Sequence, residues 1–208
     1  INHFTGLKGP VIFVPYARPG GISWDNYTSL AAEAFNSQGI EIRGIHTYNK
    51  TSDAVKEAGG FFIGGGNTFV LLKTLIENGS FNEIDKAVRE GKPYMGSSAG
   101  TNIAGTSIGT TNDMPIEYPP TFKAFNWVPF NINPHYQDPI ENSTHMGETR
   151  EIRIQEFHAF NKTTVIGLRE GSYILSNGID HFLEGELSAR IFKLDNSPFE
   201  IEKGPLSI

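Results

Sequence analysis

The chain has 208 residues, 38% of them hydrophobic and 19% charged, which is enough apolar content for a core and a length that suits one domain, residues 1–208. Its net charge is −6 and its pI near 5.5, so it has no basic face with which to displace counterions from nucleic-acid phosphates. It has no Cys, which excludes disulfides, thiolate catalysis and Cys-ligated zinc, and no apolar run approaches the roughly 20 residues of a membrane-spanning helix.

In chain order, residues 10–15 (PVIFVP) read as a buried strand, followed by a loop punctuated by Pro19, Gly20 and Gly21. Residues 24–38 carry Tyr27, Leu30, Ala31, Ala34 and Phe35 at helical spacing, and Gly39 stops the helix. Residues 40–45 alternate as a strand does, and residues 52–58 form a short helix with Ser52 as the expected N-cap. A strand at 60–63 runs into Gly64-Gly65-Gly66, and helices follow at 68–78 and 81–90. Residues 93–96 are a strand and 98–104 open another helix. This strand–helix alternation is the pattern of a mostly parallel α/β sheet with helices on both faces. Residues 106–114 and 121–132 are irregular, and 147–161 read as a helix. Residues 164–168 are a buried strand, and 173–175, 181–183 and 190–194 are short strands expected to form hairpins on the same sheet.

The most informative stretch is Gly96-Ser97-Ser98-Ala99-Gly100, a G-x-S-x-G pattern between an apolar strand and a helical run. A tight strand-to-helix turn lifts the central hydroxyl clear of the sheet, only small neighbours allow it to pack, and the helix N-terminus favours developing negative charge. Ser98 is therefore the candidate nucleophile. It needs a base. Of six histidines, His3 lies near the chain start, and His46, His158 and His181 suit structural or surface positions. His135 follows Pro134 on a loop after an apolar segment, where catalytic groups often sit, with His145 as its rival. The base must itself be oriented by a carboxylate. Asp113, in a polar loop ended by Pro115, and Glu170, after the strand at 164–168, both qualify. The order Ser98, His135, Glu170 is that of class I glutaminase-like folds, and Ser98, Asp113, His135 that of α/β-hydrolases, so order leaves both open. For the oxyanion, Ala99 offers a backbone N–H and the glycine run before Asn67 offers a second. That run fits neither of the standard nucleotide-binding glycine motifs, and no His pair or HExxH supports a metal site. Five Asn-x-Ser/Thr triplets are expected to be fortuitous in an Asn-rich chain. No secretory leader is legible, although the first residue is Ile, and a cytoplasmic location is the expectation.

Taken together, Gly64-Gly65-Gly66-Asn67-Thr68, the stretch from Gly96 to Asn102, Thr110 to Pro115, Ile132-Asn133-Pro134-His135, Gly147 to Glu151 and Gly167 to Gly171 resemble peptidase E, the aspartyl dipeptidase family. The resemblance runs from the first strand to about residue 175. It implies hydrolysis of small peptides with an N-terminal aspartate, by Ser98 as nucleophile and His135 as base, with no cofactor or metal. It implies Gly66 and Ala99 as oxyanion donors, and Asn67 as a substrate contact. Arg150 suits the substrate carboxylate by charge logic, since a guanidinium can clamp it in a bidentate pair; the plainer role is a surface pair with Glu148 or Glu151. Asp113 and Glu170 both match family motifs as the third member. A monomer or homodimer with no membrane or nucleic-acid partner is expected. Two departures stand out. Relatives carry a further strand and helix before the first strand, and Ser97 stands where relatives can have Trp, which leaves the strictness of the Asp preference open. Another acyl-transfer hydrolase (a cyanophycinase-like peptidase, esterase or amidase) and a non-catalytic binding protein are the alternatives.

Overall fold

Strand β1 (Val11–Val14) is buried along its whole length, as a central strand covered on two faces must be. It pairs in parallel with β2 (Ile42–Gly44) on one side and β3 (Gly60–Ile63) on the other, and β3 pairs in parallel with β4 (Tyr94–Gly96), giving the order β2-β1-β3-β4. The connections run through α1 (Trp24–Asn36), then α2 (Thr51–Glu57), then α3 (Thr68–Glu77) with α4 (Ser80–Arg89). The path turns back after β2. Because such crossovers are right-handed, α1 lies on one face and α2, α3 and α4 on the other. Phe61 and Ile63 of β3 and Leu71, Leu72 and Leu75 of α3 are fully buried, and so is Phe13 of β1, whose ring packs edge-on against Tyr27 of α1 (4.9 Å).

This computed structural model describes residues 4, 6–139 and 147–208. The chain divides into two compact units: residues 1–101 with 113–121, which hold the parallel sheet, and residues 102–112 with 122–208. The chain passes from one to the other after the start of α5 (Ala99–Ile103).

In the second unit, β5 (Asn131–Pro134) pairs in parallel with β6 (Val165–Leu168), and α6 (Arg150–His158) connects them. Strand β9 (Ala189–Phe192) runs antiparallel to β6, with β10 (Phe199–Ile201) outside it. A separate three-stranded sheet holds β7 (Ser172–Ser176), β8 (His181–Gly185) and β11 (Gly204–Pro205). The late strands are thus not hairpins on the first sheet: β7 and β8 form their own hairpin, and β9 pairs with β6. Leu183 of β8 shares one core with Ile132, Ile166, Leu168 and Ile191. Among the local differences, α2 starts at Thr51 after Lys50, so Ser52 is inside the helix and caps nothing. Helix α6 starts only at Arg150, because the Thr149 hydroxyl accepts from Ile152 N (3.2 Å) and ends the loop there. No described helix is long and apolar enough to cross a membrane.

Candidate active site

The G-x-S-x-G turn lies between β4 and α5, at the carboxyl end of the parallel sheet, where such folds carry their sites. Both glycines are required by close backbone approach. A Cβ on Gly100 would lie 2.2 Å from Ile63 O, and one on Gly96 2.5 Å from the Gly100 carbonyl. The turn is held by Ser97 N donating to Ile63 O (3.1 Å), by Thr101 Oγ1 donating to Gly96 O (2.8 Å) and by Tyr94 Oη donating to Gly100 O. Ser98 has φ 54°, a left-handed conformation that costs a non-glycine residue about 1–3 kcal/mol. Its side chain is half-buried, whereas Ser97 is exposed.

The glycine run after β3 lies against this turn. A Cβ on Gly65 would come 2.9 Å from Ser98 Cβ, so only glycine admits the serine there. Gly66 has φ 145°, and a Cβ on it would stand 2.2 Å from Ala17 O. Asn67 N donates to the same carbonyl (2.7 Å). The loops after β1 and β3 therefore meet where the sheet order reverses. Asn67 caps α3: its Oδ1 accepts from Phe69 N and Val70 N (both 3.1 Å), and its Nδ2 donates to Met114 O (2.8 Å). Both ends of this amide are engaged within the unit. Asp113 Oδ2 accepts from Thr68 N (2.7 Å) and Thr68 Oγ1 (2.6 Å), placing an anion at the positive end of α3. The 113–121 segment is further tied by Lys73 Nζ to Glu117 (2.6 Å); that partner holds the Glu117 carboxyl below its ordinary value.

In the second unit, the parallel register sets Pro134 beside Leu168. The residues that follow both strands therefore leave at the same sheet edge. His135 and Glu170 emerge there, and His135 Nδ1 hydrogen-bonds Glu170 Oε1. A carboxylate can only accept, so the bond fixes the proton on Nδ1 and leaves Nε2 of the neutral ring with its lone pair free. His135, like Ser98, is left-handed (φ 55°). Strand β5 is held from its other side by asparagines: Asn133 Nδ2 donates to Thr110 O (2.7 Å), Asn112 Nδ2 to Pro134 O (2.9 Å) and Asn102 Nδ2 to Ile132 O (3.0 Å). Asn131 Oδ1 accepts from Thr106 Oγ1 (2.7 Å) and Ser107 N (3.0 Å).

Of the acids, Glu170 meets His135 and Asp113 meets Thr68. Ser98 and Asp113 belong to the first unit, His135 and Glu170 to the second. Arg150 is the first residue of α6, where a cation faces the positive end of the helix; Glu148 pairs with Arg153 (3.5 Å) and Glu151 with Arg190 (3.1 Å). His46, His158 and His181 bond Asp25, the Thr163 carbonyl and Ser176. His3 and His145 lie outside the described residues. Among the described residues no cluster of His, Cys, Asp or Glu could hold a metal ion. The contacts of these asparagines depend on where β5 runs in the fold, which no local sequence signal gives.

The sequence matches the profile described as Peptidase family S51 over residues 1–183. A Drosophila melanogaster protein named "Probable alpha-aspartyl dipeptidase" is 47% identical over 192 residues, 92% of this chain and 79% of that protein. A Streptomyces coelicolor protein named "Peptidase E" is 47% identical over 204 residues, covering 98% and 83%. A solved peptidase from an acI-B1 actinobacterium shares the fold with a TM-score of 0.71 at 16% identity, over 96% of this chain and 84% of that one.

Proposed function

This chain belongs to peptidase family S51, and from that premise we propose that it is a serine dipeptidase cleaving dipeptides with an N-terminal aspartate. The observation that carries the chemistry is the turn that holds Ser98 left-handed between two obligatory glycines. The substrate class is suggested by the names of the relatives at 47% identity.

In this reading Ser98 Oγ attacks the scissile carbonyl carbon while His135 Nε2 takes its proton. The bond from His135 to Glu170 supports the choice of Glu170 as the acid that orients the ring and stabilises its cation. The N–H groups of Gly66 and Ala99 receive the oxyanion. Collapse breaks the C–N bond and His135 gives its proton to the leaving amine; water then attacks the acyl-enzyme with His135 again as base, the C–Oγ bond breaks, and His135 returns the proton to Ser98 Oγ. Arg150 pairs with the aspartate side chain of the substrate. Asn67 acts on the substrate mainly through the loops it holds, and Asp113 braces the start of α3. The whole chain serves as the catalytic domain.

A dipeptide panel tests this. Asp-Leu should be hydrolysed about tenfold to a hundredfold better than Asn-Leu or Leu-Leu, since hydrogen bonds to a charged group contribute about 1.5–3 kcal/mol. Equal rates on Asp-Leu and Leu-Leu would remove the acidic specificity.

A further inference from the structure

We infer that Arg169 is a positioning residue for the His135–Glu170 pair, clamping the loop that carries His135 onto the strand end that carries Glu170. The inference rests on the reading of His135 as the base.

Arg169 stands between the last residue of β6 and Glu170, and its side chain is only 13% exposed. All three of its side-chain nitrogens are engaged. Nε donates to Asp138 Oδ2 (2.8 Å) and Nη2 to Asp138 Oδ1 (2.7 Å), a bidentate grip on the residue three positions after His135. Nη1 donates to Glu200 Oε2 (2.8 Å), to Ser188 O (2.8 Å) and to Ser188 Oγ (3.0 Å), and Nη2 to Glu200 Oε1 (3.1 Å), which anchors the guanidinium to β10 and to the residue just before β9. The guanidinium also lies over the Tyr136 ring, 5.5 Å from its centroid.

Tyr136 is the residue next to His135. Its N–H donates to Leu168 O (3.0 Å), and its ring fills the place where a Cβ on Gly167 would be, 2.7 Å from the ring atoms. The loop from His135 to Asp138 is therefore fixed to β6 at two points, and Arg169 supplies the second. This matters because His135 has φ 55°, a conformation that persists only when its surroundings enforce it. Lysine has the charge but not the planar fork, so it cannot hold Asp138 through two parallel bonds.

The test uses the full chain with Asp-Leu as substrate and four variants: Asp138→Asn, Arg169→Lys, Arg169→Met and His135→Ala. Asp138 is half exposed, so Asp138→Asn removes the loop end of the clamp without opening the core. It should melt close to wild type, yet lose kcat by about tenfold to a hundredfold with KM within about twofold, as expected when a catalytic group is misplaced rather than removed. Labelling of Ser98 by diisopropyl fluorophosphate should slow in proportion, and the far-downfield proton resonance of the His135 Nδ1–H should broaden or vanish. Arg169→Lys should behave likewise; Arg169→Met should add a lower Tm. If folded Asp138→Asn and Arg169→Lys both keep kcat and the downfield resonance while His135→Ala is inactive, the clamp is wrong and the base assignment stands. Full turnover by His135→Ala would overturn both.

Discussion

The two carboxylates that the sequence left level, Glu170 and Asp113, should fail in different ways when removed. Glu170→Gln takes away the group that holds the His135 proton on Nδ1. Loss of such a carboxylate can cost about 10⁴ in kcat at a buried triad. Glu170 is 77% exposed, so water can partly replace it and screening weakens its charge; the expected loss is about 10²–10³, or about 3–4 kcal/mol. Stability should hardly change. Asp113→Ala instead strips two short hydrogen bonds from Thr68, which is 1% exposed. Each lost hydrogen bond to the charged carboxylate contributes about 1.5–3 kcal/mol, so about 3–6 kcal/mol is lost, and Tm falls by about 6–24 °C for a chain of this size. At 25 °C its kcat should stay within about tenfold of wild type. Steady-state Asp-Leu hydrolysis and thermal melts followed by circular dichroism separate the two. The reasoning is refuted if Asp113→Ala melts like wild type but is a hundredfold slower, while Glu170→Gln remains active.

Two further outcomes follow from the geometry. Gly66→Ala puts a Cβ 2.2 Å from Ala17 O at φ 145°, so it must displace the proposed oxyanion donor; kcat should fall by about 10²–10³ and stability by about 1–3 kcal/mol, and a folded, fully active variant would remove Gly66 from the oxyanion hole. Hydrogen bonding from Arg169 holds the Glu200 carboxyl down from its ordinary value of 4.5 to about 2. A depressed carboxylate stabilises the fold fully above its unfolded value and loses that contribution as pH falls, here between about pH 5 and pH 2. Urea unfolding at pH 5, 4 and 3 should show wild type weakening faster than Glu200→Gln, and parallel slopes would contradict the assignment.

The first parallel sheet was legible because β1, β3 and β4 are short apolar runs bounded by glycine or proline and residues 40–45 alternate, and the elbow because its whole logic lies in five consecutive residues. Strand β5 was hidden: Asn131, Asn133 and Pro134 are poor strand formers, tolerated because among the described strands β5 pairs only with β6 and its asparagines bond the 102–112 segment. The partner of His135 could not be read either. It depends on the register of β5 against β6, a relation between residues 35 apart in sequence. The contacts of Arg169 with Asp138 and Glu200 are hidden in the sequence for the same reason, since each pair is 31 residues apart.

The central claim is that Ser98 is the nucleophile of an acyl-enzyme mechanism. Treating the protein with diisopropyl fluorophosphate and mapping the adduct by peptide mass spectrometry tests it most directly. One equivalent on Ser98, with parallel loss of Asp-Leu hydrolysis and no labelling of Ser98→Ala, is the predicted result. An unlabelled Ser98 in an enzyme that still cleaves Asp-Leu, or undiminished turnover by Ser98→Ala, would contradict it.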